Sequence, residues 1–209
     1  MAGRGDLARA QAWMSAPPAP PLVLASRSPQ RRAILEQLGI PFEVVVPSYA
    51  EEETGAEPTV EVERRARGKA RSVAGASEEL PVLGVDTEVV LDGHVYGKPA
   101  DAGDAERMLD ELSGKTHEVV SGLCLLTPGW EEVRHEVTRV TVRSLTPREL
   151  GLYVAAEEWR DRAGGYAIQG LGAALVQRIE GDYLNVVGLP AALLVNLLAE
   201  RFPGAYGYG

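Results

Sequence analysis

The serines and arginines of one short segment could bind a phosphate group. The segment is Ser26-Arg27-Ser28-Pro29-Gln30-Arg31-Arg32, and a serine followed by proline is typical of the first residues of a helix. A helix N-terminus presents unpaired backbone N–H groups, to which serine and arginine side chains add directed hydrogen bonds and positive charge. The segment therefore predicts an anion site that uses Ser26, Ser28 and Arg31. The alternative is that Ser28 only caps the helix and that the arginines are solvated.

A second segment places carboxylates in an otherwise apolar strand, Gly84-Val85-Asp86-Thr87-Glu88-Val89-Val90. Asp86 would be costly to bury there unless it is paired, hydrogen-bonded or bound to a metal ion. It could therefore ligate a divalent cation or accept a proton from water. Glu88 points to the same face of a strand as Asp86, so a paired-carboxylate metal site is geometrically allowed. An Asp86 at a strand end, satisfied by backbone donors, explains the segment equally well.

Two turn-like segments carry polar side chains that a small ligand could use. Lys98 lies between a flexible Gly97 and a rigid Pro99, which can fix a lysine at the edge of a site. Residues 163–170 are rich in glycine, and the Gln169 amide offers both a donor and an acceptor to the edge of a base. Taken alone, each segment is also typical of an ordinary surface turn or connector.

Composition narrows the class of ligand. The chain of 209 residues has a formal net charge of −9, which argues against a general binder of nucleic acid or anionic membranes. A small polyanionic ligand stays possible because the basic residues cluster in a few short segments.

No apolar run approaches the ~20 residues that span a bilayer. The single cysteine, Cys124, is predicted to be a core residue, and a reducing cytoplasm is the simplest compartment.

The elements that must position these residues alternate between strands and helices. We predict strands over residues 22–25, 41–46, 82–91, 94–96, 116–126, 133–142 and 174–179, and helices starting at 29, 59, 104, 147 and 190. Asp92-Gly93 is a strong signal for a two-residue hairpin. The mixture predicts an α/β fold with a mixed, twisted sheet and flanking helices. Residues 1–20 are predicted to be a disordered extension, residues 21–203 the domain, and residues 204–209 a flexible tail.

In this order, the segments resemble the Maf family of nucleotide pyrophosphatases over residues 22–198. The family's Ser-x-Ser-Pro-x-Arg, Gly-x-Asp-Thr and Gly-Lys-Pro motifs are matched at residues 26–31, 84–87 and 97–99. The most specific match is the stretch from residue 159 to residue 170, followed by residues 181–183 and 187–190. Several independent motifs at the right spacing make chance similarity very improbable.

The resemblance implies two lobes around a cleft, in a fold related to that of inosine triphosphatases, and it makes a homodimer the expected assembly. It implies that a nucleoside triphosphate is cleaved between its α- and β-phosphates with Mg²⁺ or Mn²⁺. Asp86 is the implied catalytic carboxylate, and Glu51 (with Glu52 as a neighbouring candidate) would bind the metal with Asp86. The implied substrate-binding residues are Ser26, Ser28, Arg31, Lys69, Thr87, Lys98 and Gln169.

The choice of base depends on the loop around Gln169. Its Tyr-x-Ile-Gln-Gly pattern resembles the branch of the family that acts on dTTP and UTP, whereas the branch acting on 7-methyl-GTP tends to carry glutamate at this position. Gln30 departs from that branch, because many of its members have arginine there, and Arg162 stands where lysine is common. The alternatives are the same chemistry on 7-methyl-GTP or CTP, or a nucleotide-binding regulator of septum formation with little turnover.

Overall fold

The computed structural model describes residues 19–52, 54–75 and 79–208. Its elements are β1 (Leu22–Ala25), α1 (Pro29–Gln37), β2 (Phe42–Val45), α2 (Pro58–Ala74), β3 (Val82–Leu91), β4 (His94–Tyr96), α3 (Ala102–Leu112), β5 (Thr116–Thr127), β6 (Trp130–Val142), α4 (Pro147–Ala155), β7 (Val176–Glu180), α5 (Tyr183–Val187) and α6 (Ala191–Arg201). Short 3-10 turns cover Ala163–Gly165 and Gly170–Ala174. Every predicted strand and helix is present within a few residues, and α5 and the two turns are additional. None of the described helices is long and apolar enough to cross a membrane.

The strands form one mixed sheet, as predicted. Their order is β2-β1-β3-β5-β6-β7, with β4 paired to β3 outside this path. β1 is parallel to β2 and β3, whereas the other pairs are antiparallel. The predicted hairpin between β3 and β4 is confirmed: Asp92 and Gly93 have φ values of 52° and 78°, as a two-residue turn of this type requires.

The edge of β3 that faces β1 and β4 contains a gap. β5 pairs with residues 82–90 along one edge of β3. On the other edge, β1 pairs with residues 82–84 and β4 with residues 89–91. Residues 85–88, which include Asp86 and Thr87, therefore have no strand neighbour on that edge within the described chain. The gap opens the middle of the sheet to a ligand.

Helix α2 lies directly on the sheet because two glycines leave room for its backbone. A Cβ atom at Gly84 would lie 2.2 Å from the Ala66 carbonyl oxygen, and one at Gly122 would lie 2.2 Å from that of Val62. Gly122 is the ladder partner of Asp86. The close approach brings the side chains of α2 onto the face of β3 that carries Asp86.

Two large apolar clusters give the molecule two lobes, as the resemblance implied. One cluster packs α1 and α6 against the sheet and includes Leu24, Leu35 and Leu197. The other packs α3 and α4 against the opposite end and includes Leu109 and Tyr153. The gap in the edge of β3 lies between these two clusters.

The C-terminal residues pack against the first lobe, which differs from the flexible tail that we predicted. Tyr206 is 8% exposed, and its hydroxyl donates to the Pro20 carbonyl at 2.8 Å. The hydroxyl of Tyr208 donates to the Leu38 carbonyl at 3.2 Å. The glycines around these tyrosines predicted a flexible end, whereas the tyrosine rings bury apolar surface and hold the end against the lobe. Apart from Ala19 and Pro20, the predicted extension at residues 1–20 lies outside the described residues.

Candidate functional site

A cleft of about 960 Å³ lies between the lobes at the open edge of β3. Its first wall is formed by residues 25–31, and its floor includes residues 86–89. Residues 97–98 and 160–163 belong to the opposite wall. This volume is in the range of pockets that bind small molecules.

The first wall is the start of α1, where the predicted cap is confirmed. Ser28 is the N-cap, and its Oγ accepts from the backbone N–H of Arg31 at 3.4 Å. The backbone N–H of Ser28 donates to the Oγ of Ser26 at 3.1 Å, and Ser26 is itself buried. The turn therefore holds both hydroxyls and the helix N-terminus against the cleft.

The Arg31 guanidinium is fixed by three neutral acceptors. Its Nε donates to the Gly188 carbonyl at 2.9 Å, Nη1 to Ser26 Oγ at 3.2 Å and Nη2 to Thr87 Oγ1 at 3.2 Å. No ion pair of Arg31 is present among the described residues. Its positive charge is thus held in place without a contacting carboxylate to cancel it, which suits an anionic ligand.

Lys69 brings the two predicted metal-binding carboxylates together. Its Nζ lies 2.5 Å from Asp86 Oδ1 and 2.6 Å from Glu51 Oε1. Burial alone would raise the pKa of Glu51, but the hydrogen bond from Lys69 and the charges of Lys69, Arg65 and Arg31 outweigh it and lower that pKa. Glu51 and Asp86 therefore share one ammonium group at the floor of the cleft.

Arg65 belongs to the same cluster and was not predicted from the sequence. Its Nη1 lies 2.6 Å from Glu88 Oε1 and 3.8 Å from Asp86 Oδ2, and its Nε lies 3.1 Å from Glu61 Oε1. The signal was available, because Arg65 precedes Lys69 by four residues and so shares its helix face. Burial raises the pKa of Glu88 against the opposing effect of Arg65. Glu88 shares the face of Asp86, as the strand period predicted.

The floor offers two carboxylate oxygens that suit a divalent cation. Asp86 Oδ2 and Glu88 Oε2 are buried and have no hydrogen-bond partner among the described residues. Carboxylate oxygens are the ligands that Mg²⁺ and Mn²⁺ prefer. No group of three histidine, cysteine or carboxylate side chains in this part of the chain is arranged to hold a metal. A cation here would therefore need further ligands, such as substrate phosphates.

The opposite wall supplies further cations near the mouth of the cleft. Lys98 Nζ lies 3.3 Å from Asp161 Oδ1, and both side chains are exposed. Arg162 also lines the cleft, and its Nε is buried without a hydrogen-bond partner in the described structure. The backbone N–H of Gly164 donates to the Gly97 carbonyl at 3.0 Å, which joins this loop to the turn that carries Lys98.

Gln169 is the one predicted site residue that the structure does not bring to the cleft. The other eight residues line it: Ser26, Ser28, Arg31, Glu51, Lys69, Asp86, Thr87 and Lys98. Gln169 is exposed and lies outside the lining, although Tyr166 of the same loop is part of it. The contact between Gln169 and a base stays a prediction.

Known proteins are similar in sequence to this chain over most of its length. The family model described as Maf-like protein matches residues 21–201. The dTTP/UTP pyrophosphatase of Nitratidesulfovibrio vulgaris is 50% identical over 184 residues, which cover 87% of this chain and 88% of that protein. The dTTP/UTP pyrophosphatase of Deinococcus radiodurans is 43% identical over 194 residues, which cover 93% of this chain and 100% of that protein.

Among solved structures, the Staphylococcus aureus Ham1 protein aligns with a TM-score of 0.43 and 18% identity over 58% of this chain and 71% of its own. The assignment to a family rests on the sequence matches, because the family model spans nearly the whole described domain and two relatives exceed 40% identity. The chain belongs to the Maf-like protein family.

Proposed function

We propose that this chain hydrolyses dTTP and UTP between the α- and β-phosphates, releasing the nucleoside monophosphate and pyrophosphate. One observation carries the proposal: the Arg31 guanidinium, which no carboxylate contacts among the described residues, and the buried Asp86 carboxylate lie at the same open edge of β3. The first can hold a polyphosphate and the second can act on water. Relatives at 43–50% identity are named dTTP/UTP pyrophosphatase, which supports this choice of substrate.

The triphosphate would lie between the two walls of the cleft. Arg31 and the N-terminus of α1 would bind it from one side, and Lys98 and Arg162 from the other. Lys69 would add a third positive charge from the floor of the cleft. An arginine held in place by neutral acceptors needs no reorganisation when an anion arrives, so no free energy is spent on orienting its charge towards the phosphate oxygens.

Asp86 is the residue that we assign to the chemical step. Water would attack the α-phosphorus, the α–β bridging P–O bond would break, and pyrophosphate would leave. Asp86 would orient that water and accept its proton through the carboxylate oxygen that has no hydrogen-bond partner among the described residues. Arg31 and Lys69 would neutralise the charge that develops on the phosphate oxygens.

The residues present fit a divalent cation, and we propose that Asp86 and Glu51 would hold Mg²⁺ or Mn²⁺. The Glu88 oxygen that is buried without a hydrogen-bond partner in the described structure, on the same face of β3 as Asp86, supports a cation at the floor of the cleft. When bound, such a cation would supply charge neutralisation at the phosphate oxygens. Lys69, which contacts both Asp86 and Glu51, would have to shift towards the phosphates. A cytoplasmic location and a homodimer stay predictions.

A panel of triphosphates tests the function. The protein is incubated with Mg²⁺ and dTTP, UTP, CTP or 7-methyl-GTP, and the products are identified by phosphorus NMR. We expect dTTP and UTP to give monophosphate and pyrophosphate with the highest kcat/KM. Faster turnover of CTP or 7-methyl-GTP would overturn the substrate assignment. Tight nucleotide binding without any product would instead favour the nucleotide-binding regulator.

A further inference from the structure

Glu51, which we assign to the cation, lies on a connection without regular secondary structure. It belongs to residues 46–52, which follow β2 and lead towards α2, and which we call the strap. The Glu51 side chain is 47% exposed. Ordering an exposed side chain on such a segment costs conformational entropy, so the position of Glu51 at the floor of the cleft depends on what fixes the strap.

Tyr49 fixes the strap to α2. It is half-buried, whereas its neighbours Ser48 and Ala50 are exposed. Its ring occupies the space where a side chain at Gly68 would lie, since a Cβ atom there would come within 2.2 Å of the ring. The Tyr49 hydroxyl accepts a hydrogen bond from Arg64 Nη1 at 2.5 Å. Both contacts are made with the same helix.

Arg64 holds a second point of the strap. Its Nη2 donates to the Glu52 carbonyl, and its Nε donates to the Glu61 carboxylate at 3.1 Å. Thr54 donates to the same carboxylate at 2.7 Å, and Glu61 is only 5% exposed. The residue directly after Glu51 and the tyrosine two positions before it are thus both attached to α2.

The ion pair with Lys69 cannot itself hold Glu51 for a cation. Lys69 Nζ lies 2.6 Å from Glu51 Oε1, but a cation at that carboxylate would repel the ammonium group. Contacts that do not involve Lys69 must then keep Glu51 in place. Tyr49 and Arg64 make such contacts, because both lie outside the pair of Glu51 and Lys69.

We propose that Tyr49 is a positioning residue that holds Glu51 at the floor of the cleft for the cation. The inference rests on the proposed function and deepens it. Gly68 and Lys69 are consecutive in α2, so the tyrosine ring and the Glu51 carboxylate contact adjacent residues of the helix. A strap that is anchored beforehand leaves less freedom for Glu51 to lose on binding, and this strengthens the binding of the cation.

The test measures the contribution of the metal to binding, without turnover. The ligand is α,β-imido-UTP, in which nitrogen replaces the α–β bridging oxygen. Calorimetry gives its affinity with Mn²⁺ and with a chelator, and we call the ratio of the two the Mn²⁺ enhancement. We expect Tyr49→Ala to reduce this enhancement about tenfold and to leave the affinity without metal unchanged. Tyr49→Phe, which keeps the ring, should reduce it about twofold.

Tyr183→Ala is the matched control. Tyr183 is a tyrosine at the start of α5, 44% exposed and outside the lining of the cleft. Its replacement should keep the wild-type enhancement.

Gly68→Ala tests the same contact from the side of the helix. The added Cβ would displace the Tyr49 ring, which can swing away because it belongs to a side chain. Alanine favours a helix more than glycine does, which offsets the lost ring contact, so we expect stability in urea to change little. The Mn²⁺ enhancement should nevertheless fall as it does in Tyr49→Ala. A role confined to folding would not separate the two measurements.

Glu51→Gln decides whether Tyr49 acts through Glu51. If it does, adding Tyr49→Ala to Glu51→Gln should cause no further loss of enhancement. The proposal is overturned if Tyr49→Ala keeps the wild-type enhancement, or if its effect is undiminished in the Glu51→Gln background. A wild-type protein whose affinity for the analogue does not respond to Mn²⁺ would overturn it as well.

Failure of the proposed function would look different. In that case the wild-type protein would show a Mn²⁺ enhancement that depends on Tyr49 and Glu51, and would still release no pyrophosphate from UTP.

Discussion

Asp86 has one carboxylate oxygen in a close ion pair with Lys69, and its other oxygen lies 3.8 Å from Arg65 Nη1 without a hydrogen bond among the described residues. Oδ1 lies 2.5 Å from Lys69 Nζ, whereas Oδ2 is buried and has no hydrogen bond among the described residues. Leaving such an oxygen unsatisfied costs roughly 1–3 kcal/mol. A protein accepts that cost most readily where a ligand completes the contacts, which is why we place water and the cation at this oxygen.

Replacing Asp86 tests this assignment. Asp86→Asn keeps the shape and an oxygen that Lys69 can contact, so we expect the variant to fold. Because the amide cannot accept a proton from water and binds cations poorly, kcat on UTP should fall by about 10²- to 10⁴-fold. Circular dichroism checks the fold and steady-state kinetics the turnover. Asp110→Asn, on the exposed face of α3, serves as the control, and wild-type turnover in Asp86→Asn would remove Asp86 from the mechanism.

The site residues differed in how far the sequence predicted them. Ser28 was predictable because its role as a helix cap depends on local sequence, and its cap is present. Asp86 and Glu88 were predictable as a pair because a strand alternates its side chains. Arg65 was missed although it shares the helix face of Lys69, because the Glu88 carboxylate that it contacts lies 23 positions away in the chain. Gln169 was assigned from a family motif, and it is exposed and outside the cleft lining, so its contact with a base stays a prediction.

At the scale of elements, the packing of α2 on β3 and β5 sets the position of the site. The helix carries Arg65 and Lys69, and the strands carry Asp86 and Glu88. The two layers approach closely only because Gly84 and Gly122 lack side chains. The helix and the strands that pack here were predicted from the sequence. Which glycines would face the helix backbone was not.

Gly84→Ala should push α2 away from the sheet. The added Cβ would lie 2.2 Å from the Ala66 carbonyl oxygen. Because that oxygen belongs to the helix backbone, it cannot rotate aside as a side chain can. We expect a loss of about 2–3 kcal/mol in the free energy of unfolding, measured in urea, together with lower turnover because Lys69 moves with the helix. Gly151→Ala is the matched control: it lies in α4 with open space around it and should gain up to about 1 kcal/mol. Equal stability of the two variants would contradict this packing.

His117 of β5 contacts Tyr166 of the glycine-rich segment 163–170. The burial of this histidine makes the stability of the folded protein depend on pH. Burial lowers the pKa of His117 from 6.5 to about 4, whereas in the unfolded chain it stays near 6.5. The folded state therefore resists protonation, so the stabilisation is complete above pH 6.5 and declines as the pH falls towards 4. We expect a loss of about 2 kcal/mol between pH 7 and pH 5.

Urea unfolding at pH 7, 6 and 5 measures that loss. His117→Gln can still hydrogen-bond to Tyr166 but does not titrate, so its stability should change much less over the same range. His94→Gln, at an exposed position of β4, should keep the wild-type pH dependence. A wild-type protein whose stability is flat from pH 7 to pH 5 would show that His117 is not buried in its neutral form.

At the scale of the whole molecule, two lobes meet along the open edge of β3, and both contribute to the cleft. The class of fold and the mixed sheet could be predicted, because alternation of strands and helices is a local property of the sequence. The gap in the edge of β3 could not, because it depends on which strands pair over which residues. The packing of Tyr206 against Pro20 joins residues 186 positions apart and was missed for the same reason.

The position at which water attacks tests the central claim most directly. The protein is given UTP and Mg²⁺ in water enriched in oxygen-18, and the products are analysed by mass spectrometry. The account predicts that the label appears in UMP and not in pyrophosphate, because water attacks the α-phosphorus. Label in pyrophosphate, or release of UDP and orthophosphate, would contradict it.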